Sequence, residues 1–348
     1  MNNIYYKVIL FFALGAFLIY ACTDTNDNNN ISSPTILSET EVIEIPLTGP
    51  AASRYNEFSG LAWYGENLIL LPQYPFSFSN SISGKGMFFK IPKEKIIAFL
   101  NGDDTSPIKP DTFFIHATGL ETFNSHGSGY EAIDFGFDDS YSYLAIESNL
   151  GFSTSGYLVK GCGGTLDAST LINIESQSGI NNLAEEAIFA FNGRIYSIHE
   201  ANGKNVNPNP VVHAFHLNLA DEITLPFPNI EYRITDATTP DESGKFWVTN
   251  YFWEGDSSDL KPAEDELVTK YGIGETNSKE PGIERLIQLE VKEGGIELVD
   301  RAPIYLKLNN DGGRNWEGIA KLDDRGLLII TDKFPTTILG FVELPKGE

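Results

Sequence analysis

Cysteine is scarce in this chain: Cys22 and Cys162 are the only two among 348 residues. That excludes a disulfide scaffold and a cysteine-built zinc cage, so stability must come from a sizeable core. Basic residues are scarce too, with 24 Lys and Arg against 48 Asp and Glu and a formal charge of −24. A chain this acidic lacks the basic footprint that a phosphate backbone requires, which argues against nucleic acid as a partner. It also argues against electrostatic adhesion to anionic lipid. There is no G-x-S-x-G, no P-loop, no H-E-x-x-H and no C-x-x-C, so no familiar nucleophile, phosphate-cradling, zincin or redox motif is present. Long apolar runs are missing as well, apart from one at the N-terminus.

That run covers Val8 to Tyr20 behind a single charge, Lys7. At about 13 residues it is short for a bilayer span, which takes ~20, and it fits the apolar core of a secretory signal. It ends in Ile19-Tyr20-Ala21-Cys22, which resembles a bacterial lipobox. The expectation is a signal peptide over 1–21, lipidation of Cys22 and membrane attachment through that lipid alone. The protein would then sit in the cell envelope, at the outer membrane, facing either side. Loss of Lys7 with the signal takes the charge from −24 to −25. With Cys22 lipidated, no intrachain disulfide remains. The polar stretch that follows cannot build a core and reads as a flexible tether over 22–40, ahead of one folded domain over 41–348.

What is abundant is aromatic and glycine-rich: 23 Phe, 15 Tyr and 32 Gly, a mixture that suits sheet more than helix. Five short segments share one pattern, an oxygen-bearing side chain, a small residue, then usually an apolar one: Ser59-Gly60-Leu61, Glu131-Ala132-Ile133, Glu186-Ala187-Ile188, Asp236-Ala237-Thr238 and Glu317-Gly318-Ile319. Each precedes a turn, a β-rich run such as Asn67 to Leu71 (NLILL), and often a third run such as Met87 to Ile91 (MFFKI). Strand, turn, strand, strand, repeated, predicts an all-β, five-bladed β-propeller. Spacings of 72, 55, 50 and 81 residues between the repeats leave room for insertions or a sixth blade. One insertion is expected over 254–281, with a short helix in PAEDELVTKYG. The last repeat is one strand short, and Glu41 to Leu47 (EVIEIPL) is expected to supply that strand and close the ring, which removes an exposed edge.

In such a ring Ser59, Glu131, Glu186, Asp236 and Glu317 converge on the central tunnel, with Glu185 replacing Glu186 if the register slips by one. Carboxylates ~6 Å apart at an effective dielectric near 20 repel by roughly 3 kcal/mol per pair. Either a cation offsets this, or the groups carry protons and hydrogen-bond to water. An oxygen-only ligand set favours a hard ion such as Ca²⁺. Loops entering the inner strands and leaving the second strands share one face. Arg54, Asn56, His126, Asn181, Arg314 and Asn315 belong to the first group, and Gln73, Glu147, Glu200, Asn250, Trp253, Asp332 and Lys333 to the second. Arg54, His126, Arg314 and Lys333 are candidates to hold a small anionic or ester substrate. Glu200 and Asp332 are candidate general bases. The HGSG stretch at His126 to Gly129 reads as a turn.

The segments Asn56 to Trp63 (NEFSGLAW), Gly129 to Phe135 (GYEAIDF), Ala184 to Glu200 and Asn315 to Asp332 resemble the esterase-like phytase group of β-propellers. The series Ser, Glu, Glu, Asp, Glu is also similar to that of calcium-activated nucleotidases (apyrases), five-bladed propellers with calcium in the tunnel. By that resemblance Ser59, Glu131, Glu186 and Glu317 map onto calcium ligands. Asp236 departs from the serine of that family, and Pro72 to Ser79 (PQYPFSFS) departs from its acidic, Arg-containing stretch. The resemblance implies a metal-dependent hydrolase of phosphoesters or other esters. The other reading is a non-catalytic propeller that recognises a glycan, peptide or partner protein, with calcium as a structural pin.

Overall fold

The structure, a computed structural model, describes residues 33–78, 85–124, 128–149, 154–309 and 313–344. Cys22 and His126 lie outside the described residues. Those from Pro34 onward belong to one compact unit.

Most of its strands form antiparallel sets of four arranged like propeller blades; a parallel bridge between His116 and Thr165 joins the outer edges of the first two, and Ile304–Tyr305 adds a short strand to the fourth. The first sheet runs outward through Phe58–Tyr64, Asn67–Pro72, Lys85–Pro92 and Asp111–His116. The second uses Ser128–Asp134, Tyr141–Ser148, Ser155–Cys162 and Thr165–Glu175. The third uses Glu185–Phe191, Arg194–His199, Val211–His216 and Ile223–Pro226. The fourth is Arg233–Ala237, Lys245–Phe252, Ile283–Lys292 and Gly295–Leu298. The fifth starts with Trp316–Leu322, Gly326–Thr331 and Leu339–Glu343. Its outermost strand is Ile43–Ile45, from the N-terminal side, with Ile43 opposite Phe341 and Ile45 opposite Leu339. Innermost strands contact one another in a closed cycle, from the fifth sheet to the first, second, third, fourth and back to the fifth.

The second strands read as unbroken apolar runs because both of their faces are buried, one against each neighbouring sheet. In NLILL, Leu68 and Leu70 pack with Leu328 and Ile330 of the fifth sheet. Ile69 and Leu71 pack the other way, with Leu144 and Ile146 of the second. Similar layers fill the remaining sheet interfaces. At ~25 cal/mol per Å² of apolar area, this burial is the main favourable term, and it explains how a fold with no disulfide among its described residues holds together.

The wide spacings between repeats are taken up by helices. Lys93–Asn101 follows the third strand of the first sheet and ends at Gly102 in the left-handed region. The insertion before Ile283 carries Ser257–Leu260 and Glu266–Tyr271, the latter capped by Asp265, which accepts hydrogen bonds from Leu267 and Val268 N–H. Residues 36–47 form a strap: Ile36–Leu37 pair in parallel with Ile273–Gly274, Thr40 bridges to Leu306, and Leu47 bridges to Ile108. Glu39 fixes it, accepting from Thr276 N–H, Thr276 hydroxyl and the Asn277 side chain at 2.7–2.9 Å.

Candidate functional site

Every innermost strand breaks register at the polar residue of its repeat. Ser59, Glu131, Glu186 and Glu317 each sit as one extra residue between regular pairs, and the fourth strand does the same across Thr235 and Asp236. A bulge re-aims one side chain without ending the strand. Here it turns four of the five toward a shared cavity of about 240 Å³. The small residue that follows is required by strand crowding. A Cβ on Gly318 would lie 3.0 Å from the backbone carbon of Gly60 on the next inner strand, and 2.7 Å from Ile330.

Ser59, Glu131, Glu186 and Glu317 line the cavity, as do Glu147 near the end of its second strand and Gln73, Asp332 and Lys333 just beyond theirs. Glu131 folds back along its strand to accept from Gln73 Nε2 at 3.0 Å. Gly129 makes room for it, since a Cβ there would fall 2.0 Å from Glu131 Oε1. Gly129 therefore belongs to the inner strand Ser128–Asp134 and not to a turn. Glu317 accepts from the Tyr251 hydroxyl at 2.8 Å. Carboxylate oxygens of Glu147, Glu186 and Glu200 lie within 4.8 Å of one another, and all three residues are buried. Glu147 Oε2 is buried with no hydrogen-bond partner.

The electrostatics follow from crowding in a dry place. Burial first, then Glu200 and its neighbours, holds the Glu186 carboxyl well above the usual range. Burial, then Glu147, does the same to Glu131. Burial and Glu200 push Glu147 up to about 8, and burial raises Glu200 to about 8 against the pull of Arg233. Glu317 rises to about 7 through burial and Asp332. Tyr74, also lining the cavity, is pushed up to about 12 by burial and the nearby Glu131. Two cations face this group. Arg233 pairs with Glu200 at 3.0 Å and Asp256 at 3.1 Å, and Lys333 pairs with Glu57 at 2.6 Å.

The other expected residues are dispersed. Asp236 does not line the cavity. It accepts from the backbone N–H of Leu61 at 3.2 Å, Ile319 at 2.8 Å and Ala237 at 2.8 Å, which ties the first, fourth and fifth sheets together. Leu61 and Ile319 line a second cavity of about 180 Å³. The Ser59 hydroxyl is engaged with the Tyr130 carbonyl at 2.5 Å. Glu185 faces away, accepting from Ser197 at 2.8 Å. Arg314 does not reach the cavity: Glu284 accepts from its Nη2 at 2.8 Å, the Lys307 carbonyl from the same nitrogen at 2.7 Å, and the guanidinium stacks on Trp316. Burial next to a carboxylate fixed that arginine in the core, where it supports the fold. Arg54 lies 5.2 Å over the Phe334 ring. Glu200 is buried beneath Arg233, and Asp332 is a cavity residue whose Oδ1 caps the turn by accepting from Lys333 and Phe334 N–H.

Six cavity residues escaped the sequence reading: Glu57, Phe58, Tyr74, Asn182, Arg233 and Tyr251. Arg233 stands three residues before Asp236 at the start of an inner strand, the entry position, so the repeat alignment itself held the signal. Tyr251 gave none, because its role arises only from the pairing of Arg233 with it across the strand.

No family model matches the chain and no curated protein matches it, so neither supports the resemblance to the phytase-like or apyrase families. Among solved structures, the chain is similar to a glycosyl hydrolase from Bacteroides ovatus at 9% identity, covering 92% of this chain and 93% of that one, with a TM-score of 0.47. It is similar to a GH130-family protein, described as a glycoside hydrolase of β-1,2 mannosidic linkages in Candida mannan, at 7% identity, 90% and 97% coverage and TM-score 0.48. An exo-β-1,3-galactanase from Phanerochaete chrysosporium gives 8% identity, 87% and 63% coverage and TM-score 0.49. At these identities and TM-scores the likeness says nothing about what the cavity does.

Proposed function

We propose that the protein is a calcium-binding propeller with the ion held by Glu147, Glu186 and Glu200, serving hydrolysis of a phosphoester or another ester. The observation that carries this is the buried, unpartnered Glu147 oxygen beside two more carboxylates within 4.8 Å. Oxygens around one Ca²⁺ at about 2.3–2.6 Å lie at most ~5 Å apart, and an all-oxygen set suits that ion. The donor set differs from the one expected from the repeats: only Glu186 comes from a bulge, and its companions come from the ends of second strands. When bound, calcium offsets the mutual repulsion of the carboxylates and polarises an ester or phosphoryl oxygen.

The chain's own groups then have distinct tasks. Glu200, under Arg233, serves the cation rather than acting as base. Asp332 lines the open cavity and is the better candidate for holding a proton. Arg233 and Lys333 are the two basic side chains that line the cavity. Anchoring through lipid on Cys22 belongs to the same proposal, because calcium is plentiful outside the cytoplasm; incorporation of a palmitate analogue, lost in Cys22→Ala, tests it.

A second reading is favoured by one observation: both cavity cations already have carboxylate partners. On that reading calcium is structural and the mouth only binds. Calorimetric titration with CaCl₂ and ester hydrolysis by wild type and Asp332→Asn separate the two. Calcium binding with hydrolysis that falls roughly 10²-fold or more in the variant supports the hydrolase. Calcium binding without hydrolysis leaves the binding propeller, and no calcium binding overturns both.

A further inference from the structure

Three large rings stand out of the cavity face. Tyr55 is 80% exposed, Trp253 61% and Phe334 47%. Single exposed aromatics are ordinary, but these occupy the cavity-face loops of three consecutive sheets. Tyr55 lies two residues before the lining residue Glu57, Trp253 two after Tyr251, and Phe334 next to Lys333. Two of the three rings rest on a neighbouring residue. Trp253 lies against Gly255, where a Cβ would come within 2.2 Å of the indole. Phe334 is backed by Arg54, and Asp332 accepts from its N–H at 2.8 Å.

We propose that this mouth seats a neutral oligosaccharide, with sugar rings stacked on Tyr55, Trp253 and Phe334 and hydroxyls reaching the cavity below. The inference rests on the second reading of the cavity, a binding mouth with structural calcium, and names the class of molecule that mouth takes. A pyranose presents C–H groups on its face, which suit the negative face of an aromatic ring, and hydroxyls at its edge. Gln73, Asn182 and Asn315 line the cavity with planar amides, and Glu57 and Asp332 with planar carboxylates. Such groups offer paired acceptors, and in the amides donors as well, matched to adjacent hydroxyls. Phe58, Tyr74 and Tyr251 add some ring surface, but charged and amide groups make up most of the lining, which disfavours a wholly apolar ligand. An anionic chain is disfavoured, since six carboxylates and only two basic side chains line the cavity. The three rings are not themselves cavity lining, so the ligand must extend past the cavity and is oligomeric.

The test uses the full folded domain and four immobilised neutral hexasaccharides: cello-, manno-, xylo- and laminarihexaose. Of the four tryptophans Trp247 and Trp316 are buried and Trp63 is half-buried beneath Lys93, so the part of the acrylamide quenching that disappears in Trp253→Ala reports on Trp253. The expected result is that at least one hexasaccharide binds and shields Trp253. Trp253→Ala and Phe334→Ala should each weaken that binding roughly tenfold, with thermal midpoint and calcium response unchanged. No binding at millimolar ligand overturns the inference, and so does binding that both variants leave intact. Failure to bind sugar together with self-association in sedimentation marks the rim as a protein interface and also overturns it. A calcium-induced rise in melting temperature without sugar binding leaves the cation site standing, and sugar binding without a calcium response does the reverse.

Discussion

Raising the pH from 5 to 8 in the presence of a chelator should destabilise this protein, and calcium should reverse the loss. Glu317 illustrates the size of the effect. Its carboxyl is shifted from 4.5 to about 7 by burial and by Asp332. The folded state therefore holds the proton more tightly than the unfolded chain. Its contribution is full below pH 4.5 and is lost as pH rises through 7. A shift of that size corresponds to about 3 kcal/mol. Glu147 and Glu200, at about 8, act in the same direction over a higher window. Because the groups repel one another, their effects overlap and do not add. With an unfolding entropy of ~2.1 cal/mol/K per residue, ~300 residues lose about 5 °C for 3 kcal/mol. Calcium at ~100 times its dissociation constant would return about 2.7 kcal/mol, and it competes with protons for the same oxygens. Scanning calorimetry at pH 5 and pH 8, in EDTA and in CaCl₂, checks this. The midpoint in EDTA should be at least about 5 °C lower at pH 8, and calcium should raise it strongly at pH 8 and weakly at pH 5. A midpoint in EDTA that is flat or rises with pH, or a calcium effect equal at both, would refute the reasoning.

Glu186→Gln removes one charge from the buried cluster. In chelator at pH 8 the variant should be more stable than wild type by about 1–3 kcal/mol, and its calcium-induced shift should vanish, both read by the same scans. Asp236→Asn puts an amide among three backbone N–H donors. It should cost about 2 kcal/mol in urea unfolding while calcium affinity by calorimetry stays the same. Arg314→Ala leaves Glu284 buried without its charge partner. A loss of about 3–5 kcal/mol is expected, with ligand affinities of the folded fraction unaltered.

Much of the architecture was legible because the tunnel imposes one local solution again and again. A bulged polar residue followed by Gly or Ala recurs wherever inner strands crowd, and Gly318 shows why the small residue cannot change. The strand Ile43–Ile45 was legible for a related reason, since a fifth sheet one strand short needs a partner for its edge. The helix Lys93–Asn101 was missed because nothing in a repeat search distinguishes an inserted helix from a concealed blade. The site was less legible. Arg314 and Arg233 are both arginines at inner-strand entries, yet one is drawn into the core by Glu284 and the other faces the cavity. Asp236 and Glu186 occupy equivalent bulges, but Asp236 finds backbone donors and Glu186 finds only other acids. Those outcomes depend on which partner lies across the ring, and one-dimensional spacing does not record that.

Pairing of Ile43–Ile45 with Leu339–Glu343 also sets a constraint on how the chain reaches its native state. The contact joins residues almost the full chain apart, so it carries the largest loop-closure entropy of any pairing in the fold and tends to slow the search for the native topology. During synthesis Ile43–Ile45 emerges early and has no partner until the last sheet has left the ribosome. The propeller can then assemble sheet by sheet, but the ring locks only at the end, and the interval before locking is when its edges are open to other chains.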